Sequence, residues 1–268
     1  MRLTNRKVAG TLLAAVSFLT ISAGAALADD KPTADLSMDA LSKYVWRGFE
    51  LSQDSMVLQP SMTIGYKGFS ANLWGNLDTD SSTANTNSWT ETDMTLSYDK
   101  NLGMVDLSGG YIYYALDGKD SQEIYLSASL DTILAPTLSV YRDYDSFPGW
   151  YISLGISHSV PIKDNIALDL GAQIGYLSAD DASTYGEVVN GAQSTTESYS
   201  AFHDGLLTAS ITFPVNQYLS ITPKVNYSFP LTSKASDLIE VTSLDYNGTM
   251  GSGNDNFLYG GINLDFSF

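Results

Sequence analysis

The 268-residue chain contains no cysteine. Disulfide-stapled domains, thiolate catalysis and cysteine-ligated metals are therefore excluded. Basic residues are scarce: 13 Lys and Arg stand against 30 Asp and Glu, for a formal net charge of −17. Phosphate backbones need the opposite sign, so nucleic acid is not a partner. Downstream of residue 28 no apolar run approaches the length of about 20 residues that a spanning helix needs. A phosphate-cradling glycine loop is missing as well.

The amino end has the layout of a cleaved export signal. Arg2, Arg6 and Lys7 form a basic start, Val8 to Ala25 an apolar core, and Ala26, Leu27 and Ala28 a small-x-small cleavage site. Residues 1–28 are expected to be removed, leaving the mature chain to start at Asp29. That step takes three of the 13 basic residues and none of the 30 acidic ones. What remains is more acidic still.

What the mature chain has in abundance is strict alternation. At its end Ile262, Leu264, Phe266 and Phe268 alternate with Asn263, Asp265 and Ser267, giving one apolar and one polar face. In a transmembrane barrel those faces meet lipid and lumen. Similar segments begin near Asp35, which the pattern carries to Arg47, then run over Leu58–Lys67, Phe69–Asp78, the stretch around Met94, Val105–Tyr114, the stretch around Ile124, Leu138–Tyr144, Trp150–Val160, Ile166–Tyr176, Leu207–Val215 and Leu219–Leu231. Most have the length of about 9–11 residues that crosses a bilayer as a tilted strand. Tight connections at Lys67–Gly68, Lys100–Gly103, Thr132–Pro136, Pro161–Asn165 and Asn216–Tyr218 contrast with long polar ones at 79–91, 178–200 and 232–255. Five short periplasmic turns match about twelve strands with both termini on that side, so the expectation is an all-β, transmembrane, antiparallel up-and-down barrel with long outer loops. Its overall hydrophobic content of 44% does not argue against a membrane, since barrels hide apolar residues in alternation. Pro60 and Pro223 fall inside strands and suggest bulges, and Gly260–Gly261 suggests a third, because Phe257 and Tyr259 look out of phase with Ile262.

The lumen phase collects Asp35, Asp39, Asp78, Asp93, Asp106, Glu123, Asp169 and Asp265 against Lys43, Arg47 and Lys224, with Trp74, Tyr114, Tyr125 and Tyr151 as lumen aromatics. Charges must face inward in any barrel; the excess of one sign favours cations or neutral solutes. Tyr44, Trp46, Tyr98, Tyr111, Tyr113, Trp150, Tyr176, Tyr227, Phe266 and Phe268 read as outward girdle residues. A lipid hydrolase would need a serine, a histidine and an orienting acid; His158, between Ser157 and Ser159 but on the outward phase, reads instead as an interfacial residue. From Asp78 the chain starts like a calcium loop but carries Thr83 at the glycine position and Trp89 at the glutamate position, so that match fails. Asp143, Asp145, Asp180, Asp181 and Asp255 remain as groups able to bridge divalent ions to lipopolysaccharide.

One stretch is more specific. Ser42, Tyr44, Trp46, Arg47 and Gly48, followed by Leu58, Gln59 and Pro60 and then by Gly68, Phe69 and Trp74, resemble the opening of the TorF-type porin family of proteobacterial outer-membrane proteins. The likeness covers roughly residues 37–77. It implies a single-chain channel without catalytic residues or cofactor, in which Arg47 constricts the pore or anchors a loop. Taken together, the expectation is a monomeric porin-like channel in the outer membrane of a Gram-negative bacterium, passing small hydrophilic solutes with a lean toward cations and narrowed by loops 178–200 or 232–255. Its partners would be lipid, lipopolysaccharide and, through Phe266 and Phe268, the barrel-assembly machinery. The alternatives are a lipid-modifying enzyme and a non-conducting structural or adhesive barrel.

Overall fold

The computed structural model describes residues 31–52, 54–81, 86–116, 118–163, 165–243, 251 and 253–268. The expected leader lies outside them. Twelve strands form the wall: β1 (Thr33–Leu41), β2 (Val57–Tyr66), β3 (Phe69–Ser81), β4 (Thr86–Asn101), β5 (Val105–Leu116), β6 (Ser121–Leu130), β7 (Thr137–Asp143), β8 (Gly149–Lys163), β9 (Ile166–Ala179), β10 (Ser200–Ile211), β11 (Leu219–Pro230) and β12 (Phe257–Ser267). Each pairs antiparallel with its sequence neighbour, and β1 pairs with both β2 and β12, so the sheet closes on itself. Closure leaves no strand edge unpaired in hydrocarbon, which is the condition for a sheet to span a membrane.

Alternation sorts the two faces. Leu36, Met62, Leu73, Leu96, Leu126, Leu154, Ile174, Leu207 and Ile262 are exposed on the outside, while Gln59, Asn76, Thr95, Ser139, Ser153, Asn226 and Asn263 are buried inside. Exposed apolar side chains on this scale are stable only against lipid. Trp150 and Tyr98 stand in the outer belt, as do Phe266 and Phe268, the latter stacked on Tyr218 with ring centroids 5.9 Å apart.

Several details differ from the sequence pattern. The first strand stops at Leu41 rather than Arg47, and the chain folds inward as a short hairpin, Val45–Trp46 against Phe49–Glu50. Tyr44 is consequently buried in the lumen and Trp46 packs beside it there, so neither is an outward girdle residue. Residues 79–81 and 86–91 are strand, because β3 and β4 extend beyond the bilayer-length core of the hairpin, and 82–85 lie outside the described residues. β10 starts at Ser200, well before Leu207. Pro60 and Pro223 cause no register shift, and β12 runs through Gly260–Gly261 without one. Phe257 and Tyr259 are thus in phase with Asn263 and point inward, where both are buried. Glycine at 261 is required by close approach: a Cβ there would sit 1.8 Å from the Ala40 carbonyl oxygen. The bulges fall elsewhere, between Asn76 and Ser81, between Pro161 and Lys163, and between Ile174 and Tyr176 opposite Phe202–Gly205.

Candidate functional site

The long-loop half of the lumen is filled. Two elements from outside the wall occupy it, the inward segment around residues 42–56 and helix α1 (Ser233–Thr242). A third, the strand pair Gly186–Val189 and Ala192–Ser198, packs against them, with Tyr185 stacked on Phe49 at 5.5 Å and Gln193 donating to Thr242 Oγ1 at 3.1 Å. Helix α1 is started by Thr232, whose hydroxyl accepts from the Ala235 amide at 3.2 Å. Its Ala235, Leu238 and Ile239, spaced to share one face, are completely buried. They pack in one cluster with Val45 and Phe49 from the hairpin and with Ile112, Tyr114, Tyr141, Tyr151, Leu177, Phe257 and Tyr259 from the wall. The two plugging elements are joined directly, because the Glu50 amide donates to Ser243 Oγ at 3.1 Å, just past the helix.

At the hairpin tip Arg47 adopts a left-handed backbone (φ 46°) and is followed by Gly48 at φ 87°. A side chain at 48 would meet Asp204 Cβ at 3.0 Å and Ile239 Cδ1 at 3.2 Å, so the tip is pressed between β10 and the helix. Residues other than glycine reach this conformation only at a cost, here offset by the contacts of the Arg47 side chain. Its two terminal nitrogens donate to the two oxygens of Glu123 at 2.7 and 2.9 Å. Its guanidinium carbon lies 4.4 Å from the ring centre of Trp46, 4.7 Å from Tyr141 and 4.4 Å from Tyr151. Bidentate pairing and ring faces are the two contacts a planar guanidinium makes best. Burial opposes its charge, but the Glu123 carboxylate outweighs that and its pKa is pushed further up. Beside it is a cavity of about 20 Å³, room for one water.

Around this pair the polar contacts continue. Tyr114 donates to Glu123 at 2.8 Å, and Tyr151 donates to Asp204 at 3.0 Å while accepting from Gln173 at 3.2 Å. His203 and Asp204 both point inward because the bulge in β10 puts two residues opposite Gly175. His203 is fully buried, with Nδ1 2.8 Å from the Tyr199 hydroxyl and its ring 4.8 Å from Phe49. Lys43 bonds Glu50 at 3.0 Å and also reaches Asp54. Burial raises the Glu50 pKa despite Lys43. Asp78 is held by Ser55, and Trp74 packs on Tyr44 at 5.6 Å.

The short-turn half differs. Small polar side chains line it: Asn72 bonds Ser61 and Thr63, each at 2.8 Å, Ser70 meets Ser97 at 2.6 Å and Ser127 meets Ser139 at 2.8 Å. Asp35, Asp106, Asp169 and Asp265 are half-buried there, and Asp39 pairs with Lys224 at 2.5 Å. Asp106 accepts from Asn101 and Asp265 from Ser267.

The expected lumen acids therefore share the inner face with Asp93, which is buried beside Glu91, but they do not form one site. Arg47 and Lys43 reach the lumen from the inserted segment, not from a strand. Glu91 and Asp99 share the phase of Asp93, and Asp143 that of Ser139, yet they were not among the expected lumen acids; Glu50 and Asp204 fall off the strand alternation, and all five are buried inside. Asp204 and His203 had a signal: Phe202 and Leu207, both exposed outside, are five residues apart, an odd spacing that requires a bulge. The acids proposed for divalent ions are dispersed, since Asp180 pairs with Arg142, Asp181 with Ser183, Asp255 with Ser236, Asp145 with Gln122 and Asp143 with Ser121 inside the lumen. Among the described residues no three metal-ligating side chains cluster. His158 lies outside with Nδ1 2.9 Å from the Ile133 carbonyl oxygen, while Ser157 and Ser159 fall on the opposite phase; among the described residues no triad is assembled around it.

No protein-family model and no curated protein sequence matches the chain. Solved structures do match its fold. The chain is similar to the KdgM porin at 10% identity and a TM-score of 0.51, over 88% of this chain and 99% of that one. It is similar to the NanC porin at 10% identity and a TM-score of 0.52, over 87% and 98%. The fold is thus that of the outer-membrane barrels.

Proposed function

We propose that the chain is a porin-like passive channel of a Gram-negative outer membrane, taking small hydrophilic solutes with a preference for cations, and that the conformation described is its closed state. The observation that carries this reading is the contrast within one lumen: a polar, acid-lined half ends against a plug made of segments outside the barrel wall. Neither segment is paired into a wall strand, so its departure would break no ladder of the barrel. The resemblance of residues 37–77 to the TorF-type porins and the fold shared with two porins support the same reading. Phe266 and Phe268 would serve recognition by the assembly machinery, and no catalytic group is invoked.

The tight packing of the outer mouth favours one alternative, a barrel that never conducts and serves structure or adhesion. Single-channel recording of refolded protein under a potassium chloride gradient separates the two. Discrete steps with a cation-selective reversal potential are expected; a folded barrel silent at every voltage would leave the non-conducting reading standing.

A further inference from the structure

The contacts of Arg47 divide into those that move with it and those that do not. Trp46 belongs to the same hairpin. Glu123, Tyr114, Tyr141 and Tyr151 belong to four consecutive wall strands, β5 to β8, and stay when the hairpin leaves. Each is at least nine-tenths buried. Together they present a carboxylate oriented by the Tyr114 hydroxyl and flanked by two tyrosine faces whose centres lie 4.4–4.7 Å from the bound guanidinium carbon. Asp143 lines the cavity next to it, and Asp204 accepts from Tyr151. One carboxylate thus pairs with the cation, and two more stand in its neighbourhood.

We infer that this wall is a recognition site for small solutes carrying a guanidinium group, and that Arg47 occupies it as a tethered ligand in the closed state. The inference rests on the channel reading only for the route by which a solute arrives. A guanidinium satisfies both Glu123 oxygens with parallel N–H groups and stacks between rings; an ammonium supplies no such fork. Anions are repelled by the surrounding acids. A neutral sugar also stacks on tyrosine, but it leaves the carboxylate without its charge. A solute of this class competes with Arg47 for the wall and so favours the open mouth.

Emptying the site tests it. The Arg47→Ala barrel, refolded in detergent, is titrated with methylguanidinium, methylammonium or glucose at constant ionic strength, and tryptophan fluorescence is followed. A saturable response to methylguanidinium at millimolar concentration is expected, at least ten-fold weaker for methylammonium, absent with glucose, and lost when Glu123→Gln is added. Equal responses to the two cations, no response, or a response that survives Glu123→Gln overturns the site. If R47A does not refold, Arg47→Gln is titrated by the same criteria, because the shorter, neutral side chain leaves the Glu123 carboxylate without its cation. Binding by a barrel that never conducts would overturn the channel reading and leave the site intact, whereas conduction without binding does the reverse.

Discussion

The two halves of this lumen share one wall, one alternation and one excess of acid, yet one is packed like a protein core and the other is lined by hydroxyls and amides. The difference lies in side-chain size at the inward positions. Toward the long loops β5, β7, β8 and β9 turn Ile112, Tyr114, Tyr141, Tyr151 and Leu177 inward. Toward the short turns the same inward rows continue as Ser108, Ser139, Ser153, Ser157, Asp169 and Gly171. Large apolar residues inside a barrel have no lipid to meet, so they need a partner that enters the lumen, and the hairpin and helix supply it. Small polar residues need only water.

The largest test of this contrast removes the partner. Replacing residues 44–54 with a short Gly-Ser bridge should convert a mostly closed barrel into one with sustained conductance, read as open probability in a planar bilayer. Unchanged conductance would mean that the packed half is not the barrier. Next comes the ion pair that joins hairpin to wall. Glu123→Gln leaves the Arg47 guanidinium buried without its carboxylate and should cost about 3–5 kcal/mol of unfolding free energy in micelles. Adding Arg47→Met should recover much of that loss, because neither charge is then stranded. Additive losses in the double variant would break the assignment.

A smaller effect is expected from pH. Burial holds the Glu50 pKa above its ordinary value, which for a free glutamate is about 4.3. A carboxyl whose folded pKa is raised takes up a proton on seating, so its contribution is full below the ordinary value and fades as pH climbs through the raised one. Open probability should therefore rise modestly from about pH 4 toward neutrality, and Glu50→Gln should flatten that rise. The smallest change belongs to the wet half. Ser127→Ala should cost no more than about 0.5–1.5 kcal/mol, the net worth of its one hydrogen bond to Ser139. A loss of several times that would show that this half is packed after all.

Much of the wall was legible in the sequence because membrane burial imposes period two on every strand. The outward row Leu168, Leu170 and Ile174, and the inward position of Asp169 between them, follow from that constraint alone. The plug was not legible for the opposite reason. The segment Ser42–Glu50 continues the alternation of β1, so Tyr44 and Trp46 keep an outward phase on paper; only the left-handed turn at Arg47–Gly48 shows that the chain has left the wall. Helix α1 has the spacing of its buried face, but nothing local says that the face meets Phe49 and Phe257. The bulge at His203–Asp204 was readable from Phe202 and Leu207 and escaped a reading that began the strand at Leu207.

The sequence by itself determined that this chain lines an acidic lumen with one face of a closed sheet and meets lipid with the other, because alternation is a local pattern enforced residue by residue by the two solvents. Which part of that lumen is shut was decided only in three dimensions. Arg47 and Glu123 are 76 positions apart, and the hairpin and helix that fill the mouth are separated by most of the barrel. Their meeting depends on closure of the wall, which brings distant segments to one mouth and gives large inward side chains no other surface to cover.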